Sequence, residues 1–214
     1  MINKLKLGVK LLKYSFNFKM NVICTVIYCF LGVLWCFLPN LPQFGPIYLS
    51  IVALQVQQML SSLQFSDMVL SSPRKRELQI SVAVAVGVLC SLVFYVLTVG
   101  VILLSHKIGI QEGPSFGSLI LCGLLFMVSM VYGVLLQKTG TATVMVLLIM
   151  FFGPILWFMS SGDQTLRDIS LSTAIGIGLA EILLGAVLQY LTARLTYRLP
   201  VKNNPMLQAI QKYK

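Results

Sequence analysis

The sequence predicts an all-α membrane protein, with six transmembrane helices preceded by an N-terminal amphipathic interfacial helix. Three observations carry that expectation. The chain is 57% hydrophobic and 10% charged with a mean hydropathy of +0.89, too apolar for a soluble domain. Apolar segments of membrane-crossing length alternate with polar connections. Lysine and arginine concentrate on alternate connections, as the positive-inside rule requires of a polytopic membrane protein. A net charge of +10 would suit nucleic acid in a soluble protein, but these charges flank apolar spans. Anionic lipid and topology account for them, and no nucleic-acid partner is expected.

Residues 1–19 form the first element. Ile2, Leu5, Val9, Leu12 and Phe16 recur at helical spacing, while Lys6, Lys10, Lys13 and Asn17 share the opposite face. Such a segment is expected to lie in the headgroup plane, as a topology anchor or as a working element. The apolar run from Asn21 to Leu38 is long for a signal-peptide core, and no A-x-A-like cleavage site follows, so it reads as a retained first span.

The six-span domain covers 20–194, with spans at 21–38, 46–64, 79–104, 118–137, 144–160 and 171–193. Each approaches the ~20 residues that cross ~30 Å of hydrocarbon. Pro39, Pro42 and Gly45-Pro46 mark a short turn, with Pro46 suited to open the second helix. Gly109, Gly113 and Pro114 make 106–117 an irregular loop. Gly153-Pro154 interrupts the fifth span and leaves two readings: a kinked ordinary span, or a re-entrant or external helical piece within 151–169. Small residues repeat every four positions at Ala83, Gly87, Ser91 and at Ser172, Gly176, Ala180. Such faces allow close helix approach, inside the subunit or between subunits. Residues 195–214 form a basic tail.

The charge pattern sets the expected orientation. One side holds Lys4, Lys6, Lys10, Lys13 and Lys19, then Arg74, Lys75 and Arg76, then Lys138, then Arg194, Arg198, Lys202, Lys212 and Lys214. The other side holds Lys107 and Arg167. Both termini are therefore expected in the cytoplasm.

Residue chemistry argues against an enzyme. The single histidine, His106, stands beside Lys107 with no carboxylate near it in sequence. Cys24, Cys29, Cys36, Cys90 and Cys122 all lie in apolar segments without metal-ligand spacing, and a packing role is expected for them. No metal site, no nucleophile with a base and no G-x-x-x-x-G-K-[ST] loop can be assembled, so no cofactor is expected on this chain.

Glu181 is the single acidic residue deep inside a span, on a helical face with Ala174, Gly178, Gly185 and Gln189. It serves either a cationic or polar substrate or a proton step, or it holds helices together as a hydrogen-bonded carboxyl. Its expected partners are Gln55, Gln57, Gln58, Ser61 and Ser62 of the second span, whose amides are costly in hydrocarbon. Gln55, Gln58, Ser62, Glu181 and Gln189 are the residues expected along a translocation path.

The second connection, 63–81, reads LQFSDMVLSSPRKRELQIS. Asp67 comes first, then Ser71-Ser72-Pro73, then Arg74-Lys75-Arg76-Glu77 before the third span, a short helix ended near Pro73 and a charged helix start. Here the chain resembles the ATP-binding-cassette type-2 permeases, the small six-span membrane subunits of bacterial exporters. Those proteins carry an acidic residue, an S-L-P-x-S-R-like stretch and a charged start to the third span. Asp67 matches the acidic position and Ser71 to Glu77 resembles the stretch, with Ser72 where the family favours an apolar residue. The interfacial helix, the six spans, both ends inside and a broken region after the fifth span resemble the same architecture.

The resemblance implies an export permease in the bacterial cell membrane, moving a peptide-like, amphipathic or lipid substrate. It implies a second permease chain, identical or not, and two separate P-loop ATPase subunits that hold ATP and Mg. Asp67, Ser72, Pro73, Arg74, Lys75, Arg76 and Glu77 would couple to the ATPase, beside the interfacial helix with Lys6, Lys10 and Lys13. Two rival expectations are a substrate-binding membrane subunit of a vitamin-uptake transporter and a membrane assembly factor without transport.

Overall fold

The structure, a computed structural model, describes residues 2–15, 17–38, 44–64, 66–109, 116–139 and 169–199. Helices account for nearly all of them, and no strand occurs among the described residues. The helices are α1 (Ile2–Leu11), α2 (Phe18–Cys36), α3 (Phe44–Gln64), the single turn α4 (Asp67–Leu70), α5 (Ala83–Lys107), α6 (Gly117–Thr139) and α7 (Leu171–Thr196). A π-helical turn, Glu77–Val82, leads directly into α5. Among the described residues, four helical stretches are long and apolar enough to cross a membrane: Phe18–Cys36, Glu77–Lys107, Gly117–Leu135 and Leu171–Thr196. The expected fifth span at 144–160, its Gly153-Pro154 break and the tail beyond 199 lie outside the described residues.

The N-terminal segment is less uniform than its periodicity suggests. After α1 the chain tightens into a 3₁₀ turn, Leu12–Tyr14. It then reverses at Asn17, which adopts the left-handed conformation (φ 53°) that asparagine tolerates better than most residues. Gly8 lets α1 pack against Val82 and Val86 at the start of α5, while Lys6, Lys10 and Lys13 are exposed.

Helix α2 is peripheral. Gly32 meets Leu49 of α3, and Tyr28 and Trp35 stack on Tyr48 at 6.4 and 6.0 Å between ring centroids. Its other faces present Met20, Ile23, Val26, Ile27 and Phe30 to the exterior, as an apolar helix against hydrocarbon would. Helix α3 has the opposite character. It is 21 residues long and carries four glutamines, yet α2, α5 and α6 surround it and bury Leu49, Val52, Val56, Leu60 and Leu63.

Contacts along the bundle set the helix directions. Near one end Ile102, Phe116, Leu119 and Ala174 form a cluster; near the other, Ile80, Val134 and Ala193 do. Helices α6 and α7 therefore run in the same direction and α5 runs against them. Helix α3 runs with α6, because Pro46 lies beside Cys122 and Gln57 and Ser61 lie beside Gly133. The chain thus leaves α6 at one end of the bundle and begins α7 at the other.

Between the two ends, Tyr95, Phe126, Met130 and Ile182 are fully buried, with the Tyr95 and Phe126 rings edge-on at 6.3 Å. Glycines bring α6 and α7 together. A Cβ on Gly123 would stand 2.7 Å from the Cα of Gly178, and one on Gly185 would stand 2.8 Å from the Cα of Met127. The Tyr95 phenol fills the notch at Gly178. The two small-residue stripes divide: Ala83, Gly87 and Ser91 of α5 are buried inside, whereas Ser172, Gly176 and Ala180 of α7 face outward.

Substitution at the two α7 glycines should differ sharply. Gly178→Val would displace Tyr95 and α6 and is expected to cost ~1–3 kcal/mol of stability. Gly176→Val, with nothing within 4 Å of its added Cβ, should leave the thermal transition in detergent within about a degree. Equal destabilisation by both would contradict this packing.

Candidate functional site

The basic residues that lie far apart in sequence converge at one end of the bundle. That end holds α1, the start of α2, α4, the π-helical turn, and the C-terminal ends of α3, α6 and α7. Lys6, Lys10, Lys13, Lys19, Arg74, Lys75, Arg76, Lys138, Arg194 and Arg198 are all found there. The opposite end carries His106, edge-on to Phe116 at 6.4 Å, and Lys107. Cations near the last turns of α6 and α7 also oppose the partial negative charge of those helix ends.

The connection from Ser66 to Glu77 is the most elaborated part of this end. Ser66 starts α4 by donating its hydroxyl to Leu63 O at 2.7 Å and accepting the amides of Val69 and Leu70. Asp67 opens that turn; its side chain lies outside the described residues. The Ser72 hydroxyl accepts the Arg74 amide at 3.2 Å, a local turn before the helix start. The Arg74 guanidinium donates through Nε and Nη2 to Glu77 Oε2 at 2.9 and 2.6 Å. With the Arg74 side chain 63% exposed, that pair orders the surface more than it stabilises the fold.

A pair of buried glutamines closes the base of the connection. Gln64 Nε2 donates to Gln79 O at 2.7 Å, and Gln79 Nε2 donates to Gln64 O at 2.9 Å. This reciprocal clamp joins the last residue of α3 to the π-helical turn. The Gln64 carbonyl lies at the end of α3, where a helix leaves it without an intrahelical partner. Two further bonds reach the chain after α7. Lys75 Nζ lies 5.8 Å from the centre of the Tyr197 ring, and Lys138 Nζ donates to Leu199 O at 2.6 Å. Burial, and secondarily the charge of Lys75, holds the Lys138 ammonium below the ordinary lysine range. Beside the clamp, an open groove of ≈ 420 Å³ separates the π-helical turn from α7, with Arg76, Ser81, Tyr190 and Arg194 among its walls.

The residues expected along a path do not converge as one set. Gln58 is exposed, Gln55 and Ser62 are half-buried, and the Ser62 hydroxyl donates to Met59 O at 2.8 Å. Gln189 donates instead to Gln57 Oε1 at 3.4 Å, with both amides pressed against Gly87. Glu181 stands about 12 Å further along α7, two helical turns away, where its carboxylate abuts Gly123 of α6. Four buried polar atoms in this interior have no hydrogen-bond partner among the described residues: Gln57 Nε2, Ser91 Oγ, Glu181 Oε2 and Gln189 Oε1. Among the described residues no cluster of His, Cys, Asp and Glu could hold a metal ion.

Sequence reading missed the glutamine clamp and the contributions of Tyr190, Tyr197 and Leu199. The available signal was the pair Gln64 and Gln79, one flanking each side of the basic connection. No family model, no curated protein and no solved structure matches the chain.

Gln79→Leu removes one clamp bond and strands the buried Gln64 carbonyl, which should cost ~1–3 kcal/mol. Loosening of the connection should also speed tryptic cleavage after Arg74 to Arg76 severalfold over the unaltered chain. Cleavage at an unchanged rate would show that the clamp does not order the connection.

Proposed function

We propose that the chain is the permease subunit of an ATP-driven exporter in a bacterial cell membrane, working with separate ATPase subunits and a second permease chain. The observation that carries the reading is the Ser66–Glu77 connection: an ordered, cation-rich surface whose base is clamped to α3 and to the start of α5. A partner bearing on such a surface moves two bundle helices directly, with little slack. Residues Asp67 and Ser72 to Glu77 are the coupling element on this reading. ATP and Mg belong to the partner.

The topology proposed with it has six spans and both termini in the cytoplasm. Two observations support it. The basic residues collect at one end of the bundle, as alternating cytoplasmic loops require. Helices α6 and α7 run in the same direction, which agrees with one further crossing between them at 144–160. In this arrangement α1 lies in the cytoplasmic headgroup plane with Lys6, Lys10 and Lys13 outward.

The interior polar groups favour a division of roles. Gln57 and Gln189 pair with each other, while Glu181 keeps a carboxylate oxygen between α6 and α7 that has no partner among the described residues. We assign Glu181 to the substrate path, and the amide pair to helix association.

Purification from native membranes in mild detergent tests the reading. A P-loop ATPase should accompany the chain, and replacing Arg74, Lys75, Arg76 and Glu77 by Ala should abolish its recovery. Isolation of the chain alone, or undiminished recovery with the substituted loop, would reject it. Glu181→Gln should leave assembly intact and reduce export at least tenfold; unchanged export would return Glu181 to a packing role.

A further inference from the structure

We propose that the groove between the π-helical turn and the end of α7 binds the phosphate headgroup of an anionic phospholipid, with an acyl chain lying along the outer face of α7. The inference uses the membrane-crossing reading alone and does not depend on an ATPase partner.

The charge balance of the groove comes first. Its walls hold Arg74, Arg76 and Arg194 against a single carboxylate, Glu77. Arg74 is already bonded to that carboxylate. Arg76 and Arg194 have no acidic partner among the described residues, yet they face one concave space. Guanidiniums so placed supply paired donors suited to phosphate oxygens. The Ser81 hydroxyl on the same wall adds a further donor.

The surroundings distinguish a lipid from a free anion. Tyr190, one turn before Arg194, is 40% exposed and places a phenol at the level where aromatic side chains sit in headgroups. Below it on the same stripe of α7 lie Val187 and Leu183, 54% and 60% exposed. From Tyr190 to Leu183 the stripe descends about 10 Å, a large part of one leaflet. A cationic, donor-rich pocket that continues into an exposed apolar strip matches a phosphate joined to an acyl chain. Basic pockets between transmembrane helices on the cytoplasmic side are sites of this kind.

The test uses the full chain in detergent and phosphatidylcholine mixed micelles, titrated with dioleoyl-phosphatidylglycerol. Bound lipid on the folded protein is counted by native mass spectrometry, so a lowered stability in a variant does not obscure the result. Phosphatidylglycerol should be retained in preference to phosphatidylcholine. Arg194→Gln and Arg76→Gln should each weaken its apparent affinity about fivefold, and together roughly 25-fold. Lys107→Gln, at the opposite end, should bind as the unaltered chain does. Equal retention of both lipids, unaltered binding by the double variant, or an equal loss in Lys107→Gln would overturn the proposal. Displacement of phosphatidylglycerol by equimolar inorganic phosphate would also overturn it, by assigning the groove to a free anion.

Discussion

The close approach of α6 and α7 is the contact on which the rest of the bundle depends. Gly123 lies against Gly178, and Gly185 against the backbone at Met127, so the two helices approach closely there, with the Glu181 carboxyl and the Tyr95 phenol packed into the same glycine notches. Hydrocarbon provides little hydrophobic drive for one apolar helix to prefer another, and van der Waals contact between backbones supplies the specificity instead. The direction of that packing has consequences at both ends. Because the helices are parallel, Lys138 and Arg194 finish near one another, and the chain after α7 comes within reach of Lys138.

Bringing three helix C-termini to one end concentrates partial negative charge there. The cations at that end answer it, and three of them have local partners: Glu77 for Arg74, the Tyr197 ring for Lys75 and the Leu199 carbonyl for Lys138. Arg76 and Arg194, which have no acidic partner among the described residues, share the groove between the π-helical turn and α7. The same surface thus combines an ordered loop on its end with a cationic notch on its flank.

Polar side chains inside the bundle divide by their partners. The Gln64 and Gln79 amides each meet a backbone carbonyl and tie two helices together at a bundle end. The Gln57 and Gln189 pair makes one long bond and leaves other atoms unmatched among the described residues, as does Glu181. Unmatched groups of this sort are costly in a low-dielectric interior. Helix α3 buries Gln57 and Gln64 among its neighbours, whereas Gln58 is exposed and Gln55 half-buried.

The sequence by itself determined the helical class and the positions of the described long helices. Hydropathy reports how many consecutive residues can leave water, and α2, α3, α5, α6 and α7 begin and end within a few residues of the segments so marked. It also identified the charged connection and the isolated Glu181, because an ionisable group among apolar neighbours is visible without a fold. Tertiary structure alone decided which small-residue stripe packs inward, which glutamine meets which, and that Arg76 and Arg194 share a groove. Those outcomes depend on the rotation of each helix about its axis and on its direction relative to its neighbours. Local periodicity defines a face, but only contact with another helix determines what that face meets.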